Sequence, residues 1–325
     1  MLQLLLGFLL PSSTALVPSD HIARKPYSRR PFHVAPPFAR AALQTRLGAS
    51  KHEVHWLDEE KSYQDPLILG EAIARGEVVL SIPDVADVDE CDALFDAALD
   101  TCDERGIAIG GRSRFSVSDP TAFSNHVVLI CEEMLLRVLD YIDERIPSIY
   151  ETLFKSTDEW LLWQPLNAQL EKLSVPPSRH LNEVCRSLRE LYMMGELEWS
   201  EGEPAINVYE AEGHFGAHKD HLALTVLIPL ASPSEDFDGG GTGFWVGNRK
   251  VDENPEGPPT MVLKPPPGTA LIFGGDVTHA GMAVEDGCRS VFVCSFSTRT
   301  PVSSKDRLHG MQAPPVVSPN FKGTA

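Results

Sequence analysis

The sequence predicts an α+β protein that is mainly β in its second half: three amphipathic helices come first and a β-core follows. Three observations predict it. Apolar residues recur at helical spacing in three stretches before residue 200. After Glu203, short β-rich runs alternate with Gly and Pro clusters. Finally, 42% of the 325 residues are hydrophobic, enough for one large core or two modest ones.

The first segment reads as an address. "LQLLLGFLL" is an apolar run too short to span a bilayer, and "SSTA" ending at Ala15 offers the small residues that a signal peptidase needs. Residues 1–18 are therefore expected to be signal peptide-like. From His21 to Lys51 there is no acid, several Arg and many small residues, so 19–52 is expected to be a disordered basic transit or linker segment. An ordinary secretory signal followed by a linker predicts the ER lumen or secretion. Signal plus transit segment, with "TALVPS" at the joint, resembles the bipartite plastid presequences of algae with secondary plastids.

Residues 53–200 read as a helical support region. "EVVLSIP" (Glu77 to Pro83) predicts a strand leading into a helix whose stripe is Val88, Cys91, Leu94, Phe95, Ala98, Leu99 and Cys102. A second helix, near Asn125 to Arg145, turns Val127, Ile130, Met134, Leu135, Val138 and Ile142 inward. A third is expected from about Arg179 to Gly195 on Leu181, Val184, Leu188 and Leu191. From 201 to 300, "TVLIPL", "TMVLKP", "TALIFGG" and "SVFVCSFST" alternate with "DGGGTG" and "PPPG", the spacing of a sandwich or barrel. The tail, 301–325, is Pro-rich and without periodicity, and is expected to be disordered.

Charge and cysteine content exclude some functions. The net charge is −18, yet residues 1–52 carry seven basic side chains against one acid, which leaves 21 basic and 45 acidic residues in the remainder. Such a body repels phosphate backbones and anionic headgroups, so no nucleic-acid partner is expected. No transmembrane segment is expected in the mature chain either. The six cysteines show no CxxC and no zinc spacing. Cys91 and Cys102 lie eleven residues apart on one predicted helix, ~16 Å, and so cannot pair with each other.

The chemistry concentrates in "INVYEAEGHFGAHKDHLALTVLIPL" (Ile206 to Leu230). In an extended segment residues i and i+2 project to one side ~7 Å apart, so His218 and Asp220 can converge on one ion. On a helix the same pair would diverge by about 200°. His279 follows the strand "TALIFGG", and two imidazoles plus one carboxylate leave open positions, the pattern of non-heme Fe(II) oxygenases. Zinc would more often recruit a third His or a Cys. Arg289 opens the strand "RSVFVCSF", which is apolar on both faces. A guanidinium there either meets an anion inside, or reaches solvent or pairs with Glu285 or Asp286. His214 and His221 read as surface loop residues.

Taken in order, these motifs resemble the Fe(II)/2-oxoglutarate dioxygenases of the prolyl 4-hydroxylase type. "YEAEGHFGAHKD" is similar to that group's Tyr, Gly, aromatic, HxD run. "FDGGGTGF" is similar to its Gly-Gly-x-Thr strand opening, "PPPGTALIF" to its proline, glycine and Phe approach, and "HAGMAVEDGCRSVF" to its distal His followed ten residues later by a basic residue. The strand and helix "VVLSIPDVADVDECDALFDAAL" also resemble the group's entry segment. The resemblance implies a double-stranded β-helix (jelly roll) core for 201–300. It implies that His218, Asp220 and His279 bind Fe(II), and that Arg289, supported by the Tyr209 hydroxyl, pairs with the distal carboxylate of 2-oxoglutarate. It further implies O2 as co-substrate, ascorbate as the reductant that rescues iron, and hydroxylation of an aliphatic C–H, first of all on a prolyl residue of a protein or peptide. Two positions depart from the pattern. Glu212 stands where a glycine is usual, with Gly213 one place late, and the anchor is Arg rather than the Lys typical of collagen-type and plant enzymes.

Three other readings are open at this point. A dioxygenase acting on a lysyl residue or a small molecule would use the same metal site. A cupin-like jelly-roll metal protein would need no 2-oxoglutarate and no buried Arg289. A catalytically dead binding module would have no need of all four side chains together.

Overall fold

The computed structural model describes residues 51–57, 66–105, 111–154, 187–246 and 257–298. The expected segments 1–18 and 301–325, nearly all of 19–52, and the first part of the third helix, including Leu181 and Val184, lie outside the described residues.

In chain order the support region contains β1 (Glu53–Trp56), α1 (Pro66–Ala74), β2 (Val78–Ile82), α2 (Val88–Glu104), β3 (Arg112–Ser116), α3 (Asn125–Arg145), a π-helical turn (Tyr150–Phe154), α4 (Leu188–Met193) and β4 (Glu198–Trp199). There follow β5 (Ala205–Tyr209), β6 (Phe215–His218), β7 (Leu224–Pro229), β8 (Phe237–Gly239), β9 (Thr242–Phe244) and β10 (Met261–Leu263). The last four strands are β11 (Ala270–Gly274), β12 (His279–Gly281), β13 (Val284–Gly287) and β14 (Arg289–Ser297).

The apolar runs become strands buried at every position: β5, β7, β11 and β14 show no exposed residue. A strand can be buried along its whole length only when both faces of its sheet are covered. Here the larger sheet has the order β1-β2-β11-β7-β14-β5-β3, with β4 also paired to β14, and every pairing is antiparallel. Helix α1 packs on β2 and β11, and α2 packs on β5, while α2 meets α3 and α3 meets α4. A second sheet of order β10-β9-β12-β6 meets the larger one through Phe244 and Phe273, whose rings stack edge to face at 5.2 Å. The result is a mixed α/β fold with a large antiparallel core and flanking helices. Among the described residues the larger sheet stays open, with β1 and β3 at its edges.

The support region is therefore not purely helical, because β1, β2 and β3 extend the sheet built by the second half. The helices follow their predicted stripes with one correction at the start of α2. Asp87 caps that helix and forms a capping box with Glu90, and Cys91, Leu94, Phe95, Ala98 and Cys102 are buried. Val88, at 60% exposure, lies in the first turn before the helix reaches its neighbour, and Leu99 is only partly buried. All six inward residues expected on α3 are buried. The third helix is short among the described residues, Leu188–Met193, and ends at Gly195, whose φ of 70° is left-handed. Five described cysteines, including Cys91 and Cys102, are buried, with no disulfide among them.

The α2–α3 contact holds a buried ion pair that the apolar stripes do not reveal. Arg137 donates from both Nη atoms to the two Glu90 carboxylate oxygens, each at 2.9 Å, and from Nε to the Glu133 carbonyl. Arg137→Met would leave Glu90 buried without its counter-charge, and a loss of about 3–5 kcal/mol is expected. Urea unfolding of the single variant and of Glu90→Gln/Arg137→Met checks this: the double variant recovers most of the loss, since both charges are then gone.

Candidate active site

Two strands of the smaller sheet bring the imidazoles together. His218 ends β6, His279 opens β12, and the two are direct cross-strand partners. Their ring centroids lie 4.3 Å apart. The Nδ1 of His218 is 2.9 Å from the Gly216 carbonyl, and that of His279 is 3.1 Å from the Val277 carbonyl. A carbonyl only accepts, so each ring carries a proton on Nδ1, which leaves Nε2 as the atom that can face a metal.

Both Nε2 atoms turn toward Asp220, two residues past the end of β6. His218 Nε2 is 3.3 Å from one carboxylate oxygen and His279 Nε2 is 3.6 Å from the other. The three ligand atoms lie within 4.8 Å of one another, and among the described residues no other His, Cys, Asp or Glu joins the cluster. Burial alone would raise the Asp220 carboxyl, but His279, together with hydrogen bonds from His218 and Thr225, outweighs it and holds the group well below the usual carboxylate range. Burial pushes His279 down, against the pull of Asp220, and so favours the neutral imidazole. An ionised carboxylate and neutral imidazoles are the protonation states that a metal requires of its ligands. With two histidines and one carboxylate on one side and no fourth protein donor, the set matches the facial triad of non-heme Fe(II) sites rather than a closed structural zinc site.

The cavity of about 400 Å³ in front of the triad is bounded on its other side by the larger sheet. Arg289, at the start of β14, is 3% exposed and stands opposite Tyr209 of β5 in the ladder. Its Nη2 donates to Thr242 Oγ1 at 3.0 Å, while Nη1 is buried with no partner. The alternative of solvent or a nearby acid is not what the chain adopts: Glu285 and Asp286 are exposed and neither reaches the guanidinium. Burial pushes Arg289 below its ordinary range, and it raises the Tyr209 phenol, against the pull of Arg289 and Arg112. A buried cation with a free donor is costly until an anion meets it. The geometry thus brings together all five residues picked out by sequence: His218, Asp220, His279, Tyr209 and Arg289 line one cavity.

Sequence reasoning missed two polar groups beside these five. Thr225 Oγ1 donates to Asp220 at 2.5 Å and lies 3.2 Å from Ser295 Oγ. Asn207 is 4% exposed and lines the cavity with its Oδ1 unpartnered. Each is the lone polar residue inside an apolar strand, "LTVLIP" and "AINVY", and that was the available signal. His214 and His221 are exposed and stand apart from the triad, as the sequence predicted.

Glu212 takes a left-handed φ of 66° at an exposed position, while a Cβ on Gly213 would sit 2.2 Å from the Gly111 carbonyl oxygen. Left-handed backbone costs a non-glycine residue roughly 1–2 kcal/mol, part of which glycine returns through its freer unfolded chain. Glu212→Gly is accordingly expected to leave stability unchanged or raise it by up to about 1 kcal/mol. Gly213→Ala, which forces backbone apart, is expected to lose about 1–3 kcal/mol. Thermal unfolding of both variants decides it.

No protein-family model and no curated protein matches the chain. Solved structures resemble it weakly. A viral collagen prolyl hydroxylase from Paramecium bursaria Chlorella virus-1, in its 2OG complex, is 13% identical, with a TM-score of 0.39 over 69% of this chain and 97% of that one. A Pseudomonas putida prolyl-4-hydroxylase is 12% identical, with a TM-score of 0.36 over 80% and 99%. The alpha ketoglutarate dependent epimerase SnoN of nogalamycin biosynthesis is 14% identical, with a TM-score of 0.41 over 78% and 94%. Likeness at this level carries no functional argument, which rests instead on the side chains in the cavity.

Proposed function

We propose that this chain is an Fe(II)- and 2-oxoglutarate-dependent oxygenase of the prolyl 4-hydroxylase-like kind, with the two facing sheets as its double-stranded β-helix core. The observation that carries the reading is the pairing of a facial triad with a buried guanidinium that has a free donor on the same cavity. His218 Nε2, His279 Nε2 and the Asp220 carboxylate would hold the ferrous ion. Arg289 and Tyr209, with Thr242 fixing the guanidinium, would hold the distal carboxylate of 2-oxoglutarate. Bound there, the ferrous ion with O2 and 2-oxoglutarate would supply the oxidising power that hydroxylates an aliphatic C–H while the co-substrate becomes succinate and CO2.

The chain's own residues then have defined tasks. The Gly216 and Val277 carbonyls fix the ring tautomers, and the Thr225 hydroxyl fixes the carboxylate. The protonated Tyr209 phenol offers a hydrogen bond beside the Arg289 charge. Leu227 and Val293 give the cavity an apolar wall that limits water.

The order of motifs favours a prolyl residue of a protein or peptide as substrate, and a lysyl residue or small molecule is the second choice. A cupin-like metal protein has no use for the buried Arg289. The basic N-terminal segment is proposed to direct the chain into the secretory pathway or onward to a plastid. The test is to add Fe(II), ascorbate and 2-oxoglutarate to the purified protein without oxygen, then admit O2. Iron-dependent succinate release is expected even without substrate; 2-oxoglutarate left unconsumed would end this reading.

A further inference from the structure

Two cations on the cavity, Arg112 and Lys219, have no task in the account above. Tyr209 is flanked in the ladder by Arg289 on one strand and by Arg112 of β3 on the other, so the three form a single row across β14, β5 and β3. Neighbouring strands lie about 4.8 Å apart, which places the two arginine Cα atoms roughly 10 Å from each other. Arg112 lays its guanidinium over the Phe215 ring at 3.7 Å, and that ring lies 4.2 Å from the ring of the ligand His218. The face of the fork is thus fixed one ring away from the metal site, while its N–H edge has no partner. Arg114, two residues on, is different: it pairs with Glu203 at 2.7 Å. Among the described residues Arg112 forms no ion pair and no hydrogen bond, although it is half-buried and burial pushes it below its ordinary range.

We propose that Arg112 holds a carboxylate of the primary substrate, so that the oxidised molecule carries a free acid close to the C–H that reacts. This rests on the oxygenase reading above and deepens it. Three features of the cavity support it. With Arg289 assigned to 2-oxoglutarate, Asp220 to the metal and Glu203 to Arg114, Arg112 and Lys219 remain as cations against the single exposed Glu201. A cationic cavity in a chain of net charge −18 concentrates anions where the rest of the surface repels them. A guanidinium held flat on an aromatic ring keeps its edge free for two parallel hydrogen bonds, the geometry that fits a carboxylate. The unpartnered Asn207 amide, on the strand between Arg289 and Arg112, offers a polar contact to a second group of the same molecule. An internal prolyl residue flanked by neutral residues would leave Arg112 unpaired.

The carboxylate has two possible sources, the end group of a free acid or the side chain of an acidic peptide. The test measures equilibrium binding by calorimetry to the full chain loaded anaerobically with Fe(II) and 2-oxoglutarate. One arm uses N-acetylproline, N-acetyllysine and N-acetylleucine against their amides. The other uses acetyl-Gly-Pro-Asp-amide against acetyl-Gly-Pro-Asn-amide. In at least one arm the acid is expected to bind tenfold or more tightly than its neutral partner, and the arm that shows it identifies the source. Arg112→Gln is expected to erase that difference and Arg112→Lys to restore part of it, with 2-oxoglutarate affinity within twofold of the parent in both. The proposal is overturned if acids and amides bind alike, if no acid binds, or if Arg112→Gln weakens 2-oxoglutarate instead. Failure of the oxygenase reading shows separately, as absence of iron-dependent succinate release from the unmodified protein.

Discussion

Arg289→Ala is expected to weaken 2-oxoglutarate binding by about 100-fold or more while leaving metal affinity within about threefold, because it removes a charge-assisted, two-pronged contact without touching the triad. Calorimetry with 2-oxoglutarate, and metal titration by a chelator, separate the two effects. The same position has an opposite consequence for stability. In the unliganded protein the guanidinium is buried with Nη1 unpartnered, so Arg289→Met, which keeps the stem and removes the charge, is expected to stabilise the fold by about 1–3 kcal/mol. A variant that loses its co-substrate and gains melting temperature is the signature of a residue kept for binding. If Arg289→Met destabilises the protein and leaves 2-oxoglutarate affinity intact, the side chain is structural and a cupin-like reading gains ground.

The second large effect is expected at the triad. Asp220→Ala removes the only carboxylate from a three-ligand site, and succinate release is expected to fall at least about 1,000-fold, together with stoichiometric metal binding. His279→Ala should do the same. Thr225→Val, which deletes only the hydroxyl that orients Asp220, is expected to cost about 10–100-fold in metal affinity. The graded series is informative because a metal held elsewhere would be indifferent to all three. Full activity in Asp220→Ala would show that the ligand assignment is wrong.

Much of this site was legible in the chain because its signals are local. The two-residue step from His218 to Asp220 has meaning only in extended backbone, and the apolar flanks predicted that backbone. Arg289 stood out because a charge opening a strand with two apolar faces demands an explanation. The cross-strand pairing of His218 with His279 was not legible, since register depends on how strands distant in sequence assemble. Strands β1 and β3 escaped for a related reason. "EVHW" and "RSRFS" show little apolar alternation, and they become strands by adding to sheet edges that the second half provides. Missing β3 meant missing Arg112, whose place beside Tyr209 exists only once that edge is formed. The buried pair of Glu90 and Arg137 was hidden similarly. Each residue occupies a position that a helical stripe read alone assigns to solvent, and only the approach of α2 to α3 buries both.

The most direct test is a crystal structure of the protein with Mn(II) in place of Fe(II), and with 2-oxoglutarate. One metal bonded to His218 Nε2, Asp220 and His279 Nε2 is expected, with the distal carboxylate of 2-oxoglutarate within hydrogen-bond distance of Arg289 Nη1 and Tyr209 Oη. A metal bound by other residues, or a carboxylate lying away from the guanidinium, would contradict the account.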